Sequence, residues 1–313
     1  MPRRTATAGP RTAYFDAHTL GVAALLTGAA AIGASAVLVK LTDVGPVSSA
    51  FWRAFLALPV LWLWSRLETR ARGNSAPAKG RLGVLVLAGF FFAGDLAVWH
   101  WSIVLTSVAN ATLLANCAPI FVTLAAWLVF RHRPSAHFVL GLATAIAGMA
   151  LLLRGDFQHA GSALVGDALG VVTAMFYAAY QLTVTRARKS VSTARIMAVS
   201  STVSAAILLP IALLSEARFL PQSAAGWLPL LGLALLVQAG GQSLIAYAMA
   251  HLPATFSSVG LLLQPVIAAA LAWIVLGEAL TPLALGGAVL VLVGIRIAHA
   301  AEKRPEGQPE APG

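Results

Sequence analysis

Charge is scarce in this chain. Only 10% of its 313 residues are Asp, Glu, Lys or Arg, against about 25% in a soluble domain, so water is not the solvent for most of its surface. Cysteine is scarcer still: a lone Cys117 excludes any internal disulfide. No Gly-x4-Gly-Lys-Ser/Thr loop is present, which removes the usual cradle for ATP phosphates. No His or Cys cluster has metal-ligand spacing, so neither a metal nor a cofactor is expected. A net charge of +10 suggests nucleic acid until it is mapped. The basic residues lie in short connections between apolar stretches, and no nucleic-acid partner is expected.

What the chain does have is apolar length. Hydrophobic residues make up 59% of it, and ten runs are long enough to span a bilayer at roughly 20 residues per crossing. They cover 19–40, 46–66, 82–104, 107–130, 136–154, 165–185, 195–216, 227–249, 253–276 and 280–299. The first run is no cleavable signal, being long and followed by nine others. Flanking segments 1–17 and 301–313 are expected to be disordered and cytoplasmic.

The runs repeat. Pro119, Trp127, Gly141 and Gly148 recur 146 residues later as Pro265, Trp273, Gly287 and Gly294. Weaker similarity at a spacing of 149 links Leu20-Gly21-Val22 to Leu169-Gly170-Val171. This divides the chain into a first five-run half, 18–154, and a second, 165–300. Five crossings is an odd number, so the second half must enter the membrane inverted. Loop charge agrees. With the N-terminus inside, 17 of the 21 basic residues fall in inside segments, and only Lys40, Arg154 and Arg218 fall outside. Arg131-His132-Arg133 after the fourth run is basic, whereas the matching turn after the ninth reads Gly277-Glu278-Ala279. The expected fold is an all-α integral membrane protein, ten transmembrane helices in two inverted five-helix repeats around a central cavity. Both termini are expected in the cytoplasm, with the chain in the cell's inner membrane in contact with lipid. Two such bundles exchanging conformations around one midplane site suit alternating access.

Prolines and polar residues locate the cavity. Pro59, Pro119, Pro210 and Pro265 fall in run interiors, where each would remove a hydrogen bond and kink its helix. Gly141 with Gly148, and Gly287 with Gly294, are read instead as close-packing surfaces. Ionisable groups at membrane depth mark function or a partner. Arg53 and Asp95 lie at depths from which they can meet, and Arg53 is read mainly as a structural charge. His100, one turn from Asp95, is the candidate titrating group, so proton coupling stays open. Trp99 and Trp101 are either interfacial anchors or stacking surfaces for a solute. Asn110, Asn116, Tyr177, Tyr180, Gln181, Gln238, Gln242 and Gln264 complete the candidate cavity set, because amides find no hydrogen-bond partner in lipid.

The motifs Phe51-Trp52-Arg53-Ala54, Asn110 to Leu114 through Pro119, Ala254 to Val259, Leu263-Gln264-Pro265 and Trp273 through Glu278 carry a family resemblance. Over residues 18 to 300 the chain resembles the EamA-type ten-helix exporters of the drug/metabolite transporter superfamily. One departure is His132 where the second copy has Glu278. The first run also lacks a carboxylate, which separates this chain from small multidrug carriers that rely on one there. The resemblance implies a single-chain secondary transporter, an exporter of a small organic solute such as an amino acid, amine or drug. An integral-membrane enzyme acting on a lipid is the alternative, but the outer loops are too short and bare to supply acid, base or metal ligands, so no enzymatic activity is expected.

Overall fold

The structure, a computed structural model, describes residues 10–71, 80–105, 108–129, 131, 133–153, 164–277 and 280–302. Among these all regular structure is helical. Nine segments among the described residues are long and apolar enough to cross a membrane, and a shorter apolar helix, Ala136–Leu152, supplies the fifth crossing. His132 and Glu278 lie outside the described residues.

The first crossing is α1 (Pro10–Gly33) continued by α2 (Ser35–Lys40), the second α3 (Pro46–Ala71), and the third α4 (Gly80–Leu105). The fourth is α5 (Val108–Ala115) and α6 (Ala118–Leu128), and the fifth is α7 (Ala136–Leu152). The second half comprises α8 (Leu164–Arg188), α9 (Thr193–Ser215), and an eighth crossing built from α10 (Trp227–Gly232), a π-helical stretch Leu233–Gln242 and α11 (Ser243–Ala248). It closes with α12 (Ala254–Gly260), α13 (Leu263–Leu276) and α14 (Pro282–Glu302). α1 begins at Pro10, inside the stretch expected to be disordered.

The inversion is visible in contacts between counterparts. A Cβ on Gly141 would lie 2.8 Å from the Gly294 carbonyl, and one on Gly148 would lie 2.8 Å from that of Gly287. Each glycine therefore faces the counterpart of the other. That exchange requires α7 and α14 to cross antiparallel about a pseudo-twofold axis. The same glycines let the backbones touch, which matters in lipid because no hydrophobic drive holds helices together there. α3 and α9 obey the same rule. The Gly45 amide donates to the Arg218 carbonyl at 2.9 Å, joining the start of one helix to the end of the other. The remaining pairings exchange in the same way: α8 packs on α4, as α1 packs on the eighth crossing. We refer to the two ends of the bundle as the Gly45 end and the Arg188 end.

Two of the four prolines act differently from the expectation. Pro59 and Pro210 sit inside α3 and α9, where each removes a helical hydrogen bond. Pro119 and Pro265 instead stand in the first turns of α6 and α13, just beyond breaks at Asn116-Cys117 and Leu261-Leu262. A first-turn proline costs little, since its missing N–H would have had no helical acceptor. The fourth and ninth crossings are thus discontinuous helices rather than bent ones.

Candidate substrate cavity

The two breaks, the π-helical stretch and the short α2 meet around a cavity of about 370 Å³. Glycine makes that meeting possible. A Cβ on Gly33 would stand 2.8 Å from the Gln264 carbonyl, and one on Gly28 would stand 2.8 Å from the Gly241 carbonyl. α1 can therefore lie against both α13 and the eighth crossing. The cavity wall runs from Gln242 and Tyr177 near mid-bundle to Lys40 and Ser49 near the Gly45 end. Toward the Arg188 end α1 is in contact with the end of the eighth crossing. There Gly21 leaves room for His251 and Leu252 to pack against α1, a Cβ at that position meeting them at 3.1 and 3.3 Å.

Asp95, Trp99, Asn116, Tyr177, Gln242 and Gln264 all line the cavity, together with Arg53 and Pro265. Arg53, 8% exposed, donates from Nε to Gln238 Oε1 at 2.9 Å, and Gln238 Nε2 donates to Ser201 Oγ at 3.0 Å. This chain of bonds ties α3 to α9 through the eighth crossing. The guanidinium also sits over the Phe92 ring, 5.6 Å from its centre. Asp95 shares the wall with Arg53, close enough for the two charges to attract. Gln242 Nε2 donates to the Tyr180 hydroxyl at 3.0 Å. The Tyr177 ring stacks on that of Tyr180, with centres 6.2 Å apart. Asn116, at the α5–α6 break, donates to the Thr112 carbonyl at 2.9 Å. Gln264 faces the Tyr177 hydroxyl, yet its buried Nε2 makes no hydrogen bond within 3.5 Å.

Other residues read from the sequence as cavity groups lie elsewhere. Trp101 is 46% exposed on the outer surface, because two residues along a helix is a rotation of about 200° from Trp99. Tyr180, Gln181 and Gln238 are fully buried behind the wall. Tyr180 and Gln238 support lining residues, whereas both polar atoms of Gln181 have no hydrogen-bond partner. The side chains of His100 and Asn110 lie outside the described ones. Several lining hydroxyls escaped sequence reasoning, among them Ser49 and Thr173. Each donates to a carbonyl of its own helix, at 2.7 and 3.0 Å, a pattern common to membrane helices and silent in sequence. The π-helical stretch also left no periodic signature, although Gly241 within it marks the close approach of α1, a Cβ there meeting Ala31 Cβ at 2.9 Å.

The family model described as EamA-like transporter family matches twice, over residues 19–154 and 164–299. The chain belongs to the EamA-like transporter family. Two relatives from Archaeoglobus fulgidus are each named an uncharacterized transporter. One is 24% identical over 84% of this chain and 91% of its own length, the other 26% identical over 91% and 98%. A crystal structure of a protein with 18% identity superposes with a TM-score of 0.73, covering 93% of this chain and 99% of the other, and so shares the fold. Each EamA match corresponds to one half of the pseudo-twofold bundle, and the cavity lies where the two copies meet. This EamA protein is accordingly a multi-pass membrane transporter.

Proposed function

We propose that this protein is a secondary transporter that moves a small zwitterionic or cationic organic solute, of the amino-acid, amine or drug-like class, out of the cell by alternating access. The observation that carries the reading is the presence of both Arg53 and Asp95 on the wall of a cavity of about 370 Å³ enclosed by two inverted halves. That volume suits one small organic molecule. Opposite charges on one wall favour a solute carrying both signs. Where the solute carries only an amine, Asp95 supplies the partner while Arg53 stays engaged with Gln238. Gln264, beside the Tyr177 hydroxyl, brings a buried amide to the wall, and Trp99 supplies an aromatic face. The lining also includes apolar residues such as Ile32, Val39, Phe92 and Leu96, consistent with a solute that also carries hydrocarbon.

By loop charge, both termini face the cytoplasm of the inner membrane, and the Gly45 end faces outward. On that reading the cavity faces outside while Gly21, His251 and Leu252 close the cytoplasmic path. Proteoliposomes preloaded with unlabelled solute should accumulate labelled amino acids or amines by counterflow, with and without a pH gradient. Counterflow that is absent for every zwitterion and amine tested would remove the charge-pair reading. A rate indifferent to the gradient would remove proton coupling.

A further inference from the structure

A groove outside the cavity carries both a shape and a charge. It runs along α3 on the surface of the bundle, encloses about 490 Å³, and is lined by Phe55, Leu56, Pro59, Trp62, Leu63 and Arg66. Pro59 stands at its centre, where it removes the helical hydrogen bond to the Phe55 carbonyl. Phe55 and Leu63 are 45% and 59% exposed, and on a membrane-spanning helix that exposure is to acyl chains. From Phe55 to Arg66 the helix rises about 16 Å, close to one leaflet of a hydrocarbon core roughly 30 Å thick.

The cations lie at one end only. Arg66 closes the groove at the Arg188 end. Arg195, from the first turn of α9, holds its guanidinium 5.2 Å from the centre of the Trp62 ring, and its Nε is buried with no hydrogen-bond partner. Trp62 is fixed between the two by its own bond to Thr202 Oγ1 at 3.1 Å. Exposed Arg70 follows one turn beyond Arg66. The neighbouring acid, Glu68, is turned about 200° around the helix from Arg66 and so belongs to another face.

The inverted half supplies a control. Pro210 stands inside α9 as Pro59 stands inside α3, at a spacing of 151 residues. At that spacing Trp62, Arg66 and Arg70 correspond to Leu213, Ala217 and Pro221. A proline-bearing second helix in this fold therefore requires neither the tryptophan nor the cations.

We propose that the α3 groove binds an anionic phospholipid, with one acyl chain along Phe55, Pro59 and Leu63 and the phosphate between Arg66 and Arg195 beside Trp62. A free phosphate would leave the apolar length of the groove unused, and a zwitterionic lipid would leave the two guanidinium charges uncompensated. Lipid-adduct titration of the full-length protein in detergent, read by native mass spectrometry, tests this with phosphatidylglycerol, phosphatidylcholine and inorganic phosphate as separate probes. Phosphatidylglycerol is expected to be retained, and the other two are not. The double variant Arg66→Ala/Arg195→Ala should weaken phosphatidylglycerol about thirtyfold, and Arg66→Ala alone about fivefold. The single variant alters only an exposed side chain and keeps the test alive if the double variant misfolds. Equal retention of both lipids, binding of phosphate alone, or an Arg66→Ala protein with undiminished phosphatidylglycerol affinity would each overturn the proposal. None of these outcomes depends on solute flux, so the site stands or falls separately from the transport reading.

Discussion

The two halves share a backbone and divide the chemistry between them. At the end of the fourth crossing Arg131 adopts φ 56°, and 146 residues later, at the end of the ninth, Gly277 adopts φ 70°. The left-handed turn is common to both copies, but only the second fills it with the residue that tolerates it without strain. The first copy keeps an arginine there, in the basic sequence Arg131-His132-Arg133. First helices differ more. α1 presents Gly28 and Gly33, which admit neighbouring backbones, while α8 presents Tyr177 and Tyr180, which supply hydroxyls and rings. Third crossings differ in charge: Asp95 lines the cavity from α4, and the neutral Gln242 lines it from the eighth crossing. The inverted scaffold is symmetric, and the cavity it encloses is not.

The symmetric part should be the harder to alter. A Cβ on Gly287 would overlap the backbone of α7, standing 2.6 Å from the Gly148 carbonyl, whereas one on the adjacent Gly286 would meet only Leu151 Cδ2 at 3.9 Å. Gly287→Ala is expected to cost about 3 kcal/mol or more and to lose monodisperse protein. Gly286→Ala should be neutral or stabilise by up to about 1 kcal/mol. Thermal unfolding in detergent compares the two, and equal melting points would dissolve the claim that α7 and α14 touch through their backbones.

Next in size are the charges. Arg53→Gln removes the donor to Gln238 and leaves Asp95 without its neighbouring cation, at a cost of about 3 kcal/mol. Asp95→Asn is expected to fold normally and to slow counterflow of cationic or zwitterionic solutes by about tenfold or more. Unchanged flux in a stable Asp95→Asn protein would show that the asymmetry of the third crossings has no bearing on transport.

Helix ends give smaller effects. Glu216, at the end of α9, accepts from the Val47 and Ser48 amides of α3, both at 2.7 Å. The start of α9 is capped locally, by Ser192 accepting from the Arg195 amide at 3.3 Å. Glu216→Gln should therefore loosen α3 by about 1 kcal/mol, read as faster amide exchange confined to its first turn. Smallest is the turn itself. Arg131→Gly is expected to raise stability by about 1 kcal/mol and Gly277→Ala to lower it by about as much. A pair of substitutions that both destabilise would mean that Arg131 makes compensating contacts.

Much of the architecture follows from the chain alone, because lipid leaves a polypeptide few options. Unpaired backbone is forbidden there, so apolar runs of that length become helices. A repeat of five crossings must then invert, as the exchange of partners between Gly141 and Gly148 records. Several polar positions were also readable, since an amide or carboxylate at membrane depth needs a partner: Asp95, Asn116, Gln242 and Gln264 stand on the cavity wall. Which polar groups face the cavity and which stand behind it was decided only by packing. Gln238 and Gln242 lie four residues apart in a π-helical stretch, yet one is held behind the wall by Arg53 and Ser201 while the other lines it. Likewise Pro119 and Pro265 look like kinks in a linear sequence and prove to be first-turn residues beyond a break. Local composition sets what a segment must bury. The direction in which each side chain finally points is set by the neighbours that other segments, often more than a hundred residues away, bring against it.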